Sequence, residues 1–307
     1  MRHDLDCYPC FLRQALEAAR MATADEDVHR AVLRQVSTLL AELPPDTTPI
    51  ELGSRIHRTI RERTGAVDPY RRVKEESNRK ALSLYPRLKE YVRTAEDPLL
   101  AAVITAAIGN VIDYGANPGF DLERSLEQSL EEGMARGLTR SDLPGFAARL
   151  DDVDHLLYVG DNAGEIVFDR VLVEEITRRG VRVTFAVRGA PILNDATLED
   201  ARAVGMDRVA TVVSTGIVGP GTILAHADPG FLDLFSRTDL ILAKGQGNYE
   251  GLSGEEGPVF FLLMAKCPVV ARDLGVAVGD LVLRSARPQG RAGSRSLPRP
   301  GAAAAPE

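Results

Sequence analysis

The chain has 307 residues, of which 44% are hydrophobic and 26% charged, so it is long enough to bury a sizeable core. Its 37 Lys and Arg residues against 44 Asp and Glu residues give a net charge of -7, which disfavours a nucleic-acid-binding surface, since such surfaces are basic. Residues 1–10 lack the apolar core of a signal peptide, and no run approaches the roughly 18 apolar residues of a membrane span. We therefore expect a cytoplasmic protein that binds neither nucleic acid nor a membrane.

Two cysteines near the start of the chain, Cys7 and Cys10, form a Cys-x-x-Cys pair, and the third cysteine, Cys267, lies far along the sequence. An odd number of thiols does not suit a disulfide framework and fits a reducing compartment. If the three thiols pack together they could bind a second metal ion, with His3 as a possible fourth ligand. They could equally be structural thiols without metal, and the sequence leaves both interpretations open.

The first half of the chain is predicted to be helical throughout. Its apolar residues recur at spacings of three and four, as in Val28, Val32 and Val36, and no alternating run interrupts them. Pro44-Pro45 and Asn117-Pro118-Gly119 mark breaks between helices. We assign residues 1–150 to a helical N-terminal domain.

From residue 151 onward, short apolar runs alternate with helical patterns, which is typical of a mostly parallel sheet. The runs lie at 156–159, 181–187, 209–213, 240–243 and 268–271. The fold class is therefore α/β, with a doubly wound sheet domain over residues 151–286. Residues 287–307 have almost no bulky apolar side chains, and we predict that they form a disordered tail.

Polar residues follow each of the first four predicted strands, where ligands bind in open parallel sheets. Asp161 and Asn162 follow the first run, and Asp195 comes after the second. Ser214 and Thr215 follow the third run, and Lys244 follows the fourth. Each feature alone also has an ordinary explanation: a helix cap, a turn, and a solvated strand end. Their coincidence at one sheet edge favours a functional site.

The chemistry of these residues suits a divalent metal and a phosphate. Carboxylate and amide oxygens are hard ligands that fit Mg²⁺ or Mn²⁺ and tolerate Co²⁺ or Ni²⁺. Gly164 opens a helix whose N-terminus favours an anion, and Lys244 would offset charge on the transferring group. The sequence lacks the Gly-x-Gly-x-x-Gly spacing of a dinucleotide site, a P-loop and a Gly-x-Ser-x-Gly elbow.

Three segments of the sequence resemble the damage-control phosphatases, a family of metal-dependent phosphatases once classed as a domain of unknown function. The segments are Asp-Asn-Ala-Gly-Glu at 161–165, Asn-Asp-Ala-Thr at 194–197 and Lys-Gly-Gln-Gly-Asn-Tyr-Glu at 244–250. The chain is most similar to the short prokaryotic branch, because it also has the Cys-x-x-Cys pair, Gly-Asn-x-x-Asp at 109–113 and a late Lys-Cys-Pro at 266–268.

The resemblance implies roles for individual residues. Asp161, Asn162 and Asp195 would be the metal ligands, and Lys244 and Gly245 would contact the phosphate. Asn110 and Asp113 would face the substrate from the helical domain, although an ordinary helix terminus would also explain them.

We accordingly predict a metal-dependent phosphatase that hydrolyses small phosphorylated metabolites such as sugar phosphates, by attack of a metal-activated water. Asp161 and Lys244 are candidate catalytic residues, and Glu165 is a candidate for proton transfer. Direct attack by Asp161 is chemically possible. A non-catalytic metabolite or metal sensor is the alternative, and a methyltransferase shares the same fold class. The sequence leaves the natural substrate and the oligomeric state open.

Overall fold

A computed structural model describes residues 1–109, 122–255 and 257–286 of the chain. Asn110, Asp113 and the predicted disordered tail at 287–307 lie outside these residues. Within them, no helix is long and apolar enough to cross a membrane.

Seven strands in the described part of the chain form a single sheet. They are β1 (Arg140–Ser141), β2 (His155–Val159), β3 (Arg182–Val187), β4 (Thr211–Ser214), β5 (Ile241–Lys244), β6 (Val259–Met264) and β7 (Leu281–Ser285), in the order β1-β7-β6-β5-β2-β3-β4. All neighbouring pairs from β6 to β4 are parallel, and only the pair of β6 and β7 is antiparallel. The predicted mostly parallel sheet is confirmed.

The helices cover both faces of this sheet. Twelve α-helices occur among the described residues: α1 (Cys7–Ala22), α2 (Glu26–Ala41), α3 (Pro49–Thr64), α4 (Arg71–Thr94), α5 (Pro98–Ile108), α6 (Leu122–Arg136), α7 (Leu143–Asp152), α8 (Glu165–Arg178), α9 (Leu198–Ala203), α10 (Pro229–Arg237), α11 (Gly245–Leu252) and α12 (Pro268–Leu274). Along β2, Leu156 and Tyr158 enter the core beneath α5 and α8, while Leu157 and Val159 enter the core beneath α10 and α12. Burial on both faces explains why this strand is a continuous apolar run.

The helical half of the chain divides into two groups. Helices α1, α2 and α3 pack around their own apolar cluster, which includes Val32, Val36 and Ile56. Helices α4 and α5 instead pack against α8 and share the core of the sheet. The short strand β1 also joins the sheet, so this half is not helical throughout as the spacing predicts. The boundary at residue 150 stays a prediction.

One predicted strand is wrong. Residues 268–271 lie in α12, which begins at Pro268 after the N-cap Cys267 and ends at the left-handed Gly275. The strand beside β5 is β6, a buried run of Val, Phe, Leu and Met, and β7 lies between β6 and the edge strand β1. A four-residue apolar run is too short for its period to separate a strand from a buried helix.

The order of the strands fixes where a ligand can bind. The chain runs from β2 to β4 toward one edge and from β5 to β7 toward the other, so the direction reverses between β2 and β5. In open α/β sheets, the crevice at such a reversal, outside the carboxyl ends of the strands, is the usual ligand site. Here it is flanked by the loop after β2 and the start of α11.

Candidate active site

A cavity of about 610 Å³ lies at this crevice, between the sheet edge and the helices α1 and α3. The sheet contributes Asp161, Asn162, Asp195, Gln246, Glu250 and Lys266, and the helices contribute Cys7, Cys10, Phe11 and Ile50. Its volume suits a small organic ligand. Three of the residues predicted as metal ligands therefore line one cavity.

Backbone hydrogen bonds bring these three residues together. The Ala163 N–H donates to the Asn194 carbonyl at 2.8 Å, and the Ala196 N–H donates to the Asp161 carbonyl at 2.8 Å. The loop after β2 and the turn after β3 thus pair like short antiparallel strands, with Asn162 opposite Asp195. Asp161 and Asp195 are only 7% and 4% exposed, so they are buried rather than solvent-facing as expected for strand ends.

Arg188, at the end of β3, is the principal residue that sequence reasoning missed. Its side chain is 1% exposed, and its Nε donates to Asp195 Oδ2 at 2.6 Å. Its Nη2 lies 3.5 Å from Asp161 Oδ1, and its other hydrogen bonds reach Thr222 and Asn248 at 3.0 Å each. The sequence feature that could have identified Arg188 as a site residue is its position directly after a buried strand. One guanidinium thus holds both carboxylates of the site.

Negative charge remains in excess at this cluster. Burial raises the pKa of Asp195 to about 6; Arg188 opposes the rise, and the nearby charge of Asp161 adds to it. Burial likewise raises the pKa of Glu165 to about 7. The charge of Lys244 opposes this rise, and the charge of Asp161 adds to it. The Asn162 amide donates to both Asp161 Oδ2, at 3.1 Å, and Glu165 Oε1, at 2.7 Å. An added cation beside Asp161 and Asp195 would relieve the repulsion.

Lys244 lies beneath the cavity and is not part of its lining. Its side chain is 1% exposed, with Nζ 3.1 Å from Asp169 Oδ1 and 3.7 Å from Glu165 Oε2. Burial alone would lower the pKa of Lys244, but the charges of Asp169 and Glu165 outweigh it and raise the pKa. Tyr158 also donates to Asp169, at 2.8 Å. The ammonium therefore balances buried carboxylates.

Two glycines shape the loops around Asp161. Gly245 has a φ of 82°, and a Cβ at that position would overlap the Asp161 carboxylate, so only glycine fits. Gly164, before α8, donates its N–H to Asn78 Oδ1 at 2.7 Å. Asn78 in turn donates to Asp200 at 3.0 Å. One amide of the expected anion site is therefore occupied by a side chain of α4.

The three thiols line the cavity together. Cys7 and Cys267 are half-buried and Cys10 is exposed. Burial raises the pKa of Cys7; the Asp4 N–H opposes this, and Glu250, Cys267 and Cys10 add to it. Across the described residues, no group of three or more His, Cys, Asp or Glu has an arrangement that could bind a metal. A second metal at the thiols stays a prediction.

Other contacts join the N-terminal segment to the sheet domain. The imidazole of His3, the possible fourth ligand, lies with Nδ1 at 2.8 Å from the Thr47 carbonyl oxygen. Arg272 of α12 pairs with Asp4 and Asp6, at 3.2 and 3.1 Å. These contacts hold the segment that carries Cys7 across the cavity.

The wall next to Asp161 has three further polar residues. Gln246 donates to Glu250 Oε1 at 2.7 Å and accepts from the Lys266 N–H at 3.0 Å. Burial raises the pKa of Glu250 to about 7 against the Gln246 hydrogen bond. The Lys266 side chain is exposed and lines the cavity. All three occur in the quoted sequence segments, but the segments alone do not assign them roles.

The donor set fits a divalent cation. Asp161, Asn162 and Asp195 offer carboxylate and amide oxygens from one side of the cavity, and these are the ligands that Mg²⁺ and Mn²⁺ prefer. Burial is the main cause of the raised pKa of Asp195, and the charge of Asp161 adds to it.

The chain is similar to known proteins over nearly its whole length. Residues 3–282 match the family model described as damage-control phosphatase ARMT1-like domain. A damage-control phosphatase of Archaeoglobus fulgidus is 38% identical, over 91% of this chain and 97% of that protein. A damage-control phosphatase of Pyrococcus horikoshii is 35% identical, over 92% of this chain and 97% of that protein. The crystal structure of a DUF89 family protein from P. horikoshii superposes with a TM-score of 0.85 at 34% identity, covering 94% of this chain and 100% of that chain.

Proposed function

Because the chain belongs to the damage-control phosphatase family, we propose that it is a phosphatase that hydrolyses phosphate monoesters of small metabolites with a divalent metal ion. Mn²⁺, Co²⁺, Ni²⁺ and Mg²⁺ are the candidate ions. The observation that carries the proposal is the juxtaposition of Asp161, Asn162 and Asp195 in one cavity at the reversal of strand order.

These three residues would hold the metal ion. When bound, such an ion polarises phosphoryl oxygens and lowers the pKa of a bound water. Arg188 keeps Asp195 and Asp161 oriented toward each other through its contacts at 2.6 and 3.5 Å. Gly245 allows the Asp161 carboxylate to lie against the first turn of α11.

The two lysines have different roles in this proposal. Lys266 lines the cavity with an exposed side chain, so it contacts the phosphate of the substrate. Lys244 neutralises Asp169 and Glu165 below the cavity and thereby fixes Glu165 under Asn162. Lys244 would thus act on the substrate indirectly, by positioning the loop that carries the metal ligands.

Proton transfer falls to a carboxyl group that titrates near neutral pH. Glu250 lines the cavity, and burial raises its pKa to about 7. Glu165 has a similarly raised pKa but lies under Asn162, outside the lining. Glu250 is therefore better placed to give a proton to the leaving alcohol.

The test is turnover of phosphate monoesters by protein stripped of metal with a chelator. We expect no activity without metal, and activity after addition of one of the four ions. Asp161→Asn should remove the activity while the circular dichroism spectrum stays native. Metal binding without turnover of any ester would support the sensor instead. Full activity in the presence of chelator would overturn the metal dependence.

A further inference from the structure

Asn78 of α4 connects the two loops that carry the predicted metal ligands. Its Oδ1 accepts a hydrogen bond at 2.7 Å from the N–H of Gly164, which lies two residues after Asn162. Its Nδ2 donates to Asp200 Oδ1 at 3.0 Å. Asp200 lies in the first turn of α9, the helix that follows Asp195. One amide group therefore bonds to both loops, one through its acceptor and the other through its donor.

The carboxylate of Asp200 is itself held in place. Its Oδ2 accepts from the N–H and the hydroxyl group of Thr197, at 2.9 and 2.8 Å, which caps α9. It also accepts from Lys74 Nζ at 3.1 Å, and Lys74 pairs with Asp68 at 3.2 Å. The three charged side chains are buried. Because a buried and fully bonded polar group is rigid, Asp200 is a fixed anchor for Asn78.

An amide suits this position because the two partners need opposite bonding groups. Gly164 immediately precedes α8, and N–H groups at the start of a helix have no partner within the helix. An amide offers an acceptor for that N–H and a donor for Asp200 on one planar group. Asn78 is 5% exposed and lies at a separate cleft between α4 and α9, outside the lining of the cavity with the metal ligands. It can therefore influence the ligands only through the loops.

We propose that Asn78 is a positioning residue for the metal site and holds the loops of Asn162 and Asp195 in the arrangement that a divalent ion needs. Backbone hydrogen bonds pair the two loops with each other, and Asn78 adds a link from the helical half. Without this link the bound ion must order the loops itself, which lowers its affinity. At saturating metal the loops are ordered and activity returns. This inference rests on the proposed metal dependence.

Calorimetric titration with Mn²⁺, on protein first treated with a chelator, measures metal affinity in the absence of substrate. Asn78→Leu has a similar volume but neither a donor nor an acceptor. We expect its Kd for Mn²⁺ to rise about tenfold, the lower end of the range typical for loss of a group that orients metal ligands. With saturating Mn²⁺, kcat for p-nitrophenyl phosphate should stay within about twofold of the wild-type value.

Two further variants separate positioning from a general loss of stability. Asn78→Ser is smaller and polar, and it replaces Asn78→Leu should that variant not fold. Its Kd should also rise, because the shorter side chain cannot span the gap between Gly164 and Asp200. Leu88→Ala, in the apolar core farther along α4, is the matched control. It should lower the melting temperature at least as much as Asn78→Leu, yet leave the Kd within about twofold of the wild-type value.

Each result decides the role of Asn78. An unchanged Kd in a folded Asn78 variant overturns the positioning role, whatever the change in melting temperature. An equal rise of the Kd in Leu88→Ala also overturns it, because metal affinity would then follow stability alone. In both cases the proposed phosphatase function stands. If the wild-type protein neither binds Mn²⁺ nor hydrolyses any phosphate ester, the proposed function itself fails, and the role of Asn78 fails with it.

Discussion

Arg188→Met tests how the site balances its charge. The substitution keeps much of the side-chain volume but removes a cation that is 1% exposed and contacts Asp195, Asp161, Thr222 and Asn248. Breaking a buried ion pair from one side typically costs about 3–5 kcal/mol. The neighbouring carboxylate can limit that cost by taking up a proton.

The size of the effect follows from Asp195. Burial raises its pKa in the folded protein from the usual 3.8 to about 6. Its cost to the stability of the fold is therefore absent well below pH 4 and complete above pH 6, where it reaches about 3 kcal/mol. Without Arg188 we expect the group to be protonated at pH 7, which adds at most about 1 kcal/mol for the one remaining pH unit. The lost hydrogen bonds to Thr222 and Asn248 add about 1 kcal/mol each. We expect the metal-free variant to lose about 3 kcal/mol.

Metal should reverse much of this loss. Removing the resident cation leaves Asp161 and Asp195 more attractive to a divalent ion, and binding to the folded state alone stabilises it by mass action. The assay is urea unfolding at pH 7, followed by circular dichroism, with chelator and with Mn²⁺. Arg237→Met, at an ion pair that is 78% and 66% exposed, is the control and should change stability by less than about 1 kcal/mol.

Two results would refute this reasoning. If metal-free Arg188→Met is as stable as the wild-type protein, Arg188 does not offset the charge of the carboxylates. If the loss is the same with saturating Mn²⁺ as without it, the ion does not bind beside Asp161 and Asp195.

Three further predictions concern other residues. Asp161→Asn should lower kcat at least about 100-fold, as expected for loss of a preorganised electrostatic contact. The loss of activity in Asn162→Ala should instead become smaller as the Mn²⁺ concentration is raised. Steady-state kinetics across a Mn²⁺ titration test this, and a similar response of both variants would contradict it. Lys266→Gln should raise KM for phosphate esters and leave the unfolding midpoint unchanged. Lys244→Met should instead lower the unfolding midpoint, because Asp169 and Glu165 lose their partner. The reverse pattern would exchange the roles of the two lysines. Burial lowers the pKa of His57 to about 4, so its stabilising effect is complete above about pH 6.5, and about 3 kcal/mol of folding stability is lost as the pH falls toward 4. In urea unfolding at pH 7 and 4.5, His57→Leu should lose less stability between the two pH values than the wild-type protein. An equal loss would exclude His57 as its source.

Much of the fold can be read from the sequence because the relevant signals are local. The apolar runs that become β2, β3 and β5 are bounded by glycine and polar residues, and the helix between β2 and β3 ends at Arg178, just before Gly180. The quoted motifs also indicate the family, which the comparisons show. Three strands are missed: β1, which has only two residues, and β6 and β7. The last two are missed because a buried strand and a short buried helix have the same composition over a few residues.

For the site, local sequence patterns predict which residues gather at the sheet edge. Asp161, Asn162 and Asp195 follow parallel strands, and parallel strands end at one edge, so topology alone brings these residues near each other. Spacing along the chain cannot say which way a side chain turns at a strand end. That direction depends on which charges lie nearby in space.

The partners of these residues depend on the packing of the folded chain. Lys244 turns inward because Asp169 and Glu165 are buried beside it, and Arg188 reaches two carboxylates from different loops. Cys10 and Cys267 are 257 residues apart in the sequence and line one cavity, and Arg272 pairs with Asp4 and Asp6 close to them in the chain. A buried charge has a large desolvation cost, so its position follows its partner. The partner is chosen by the packing of the whole chain.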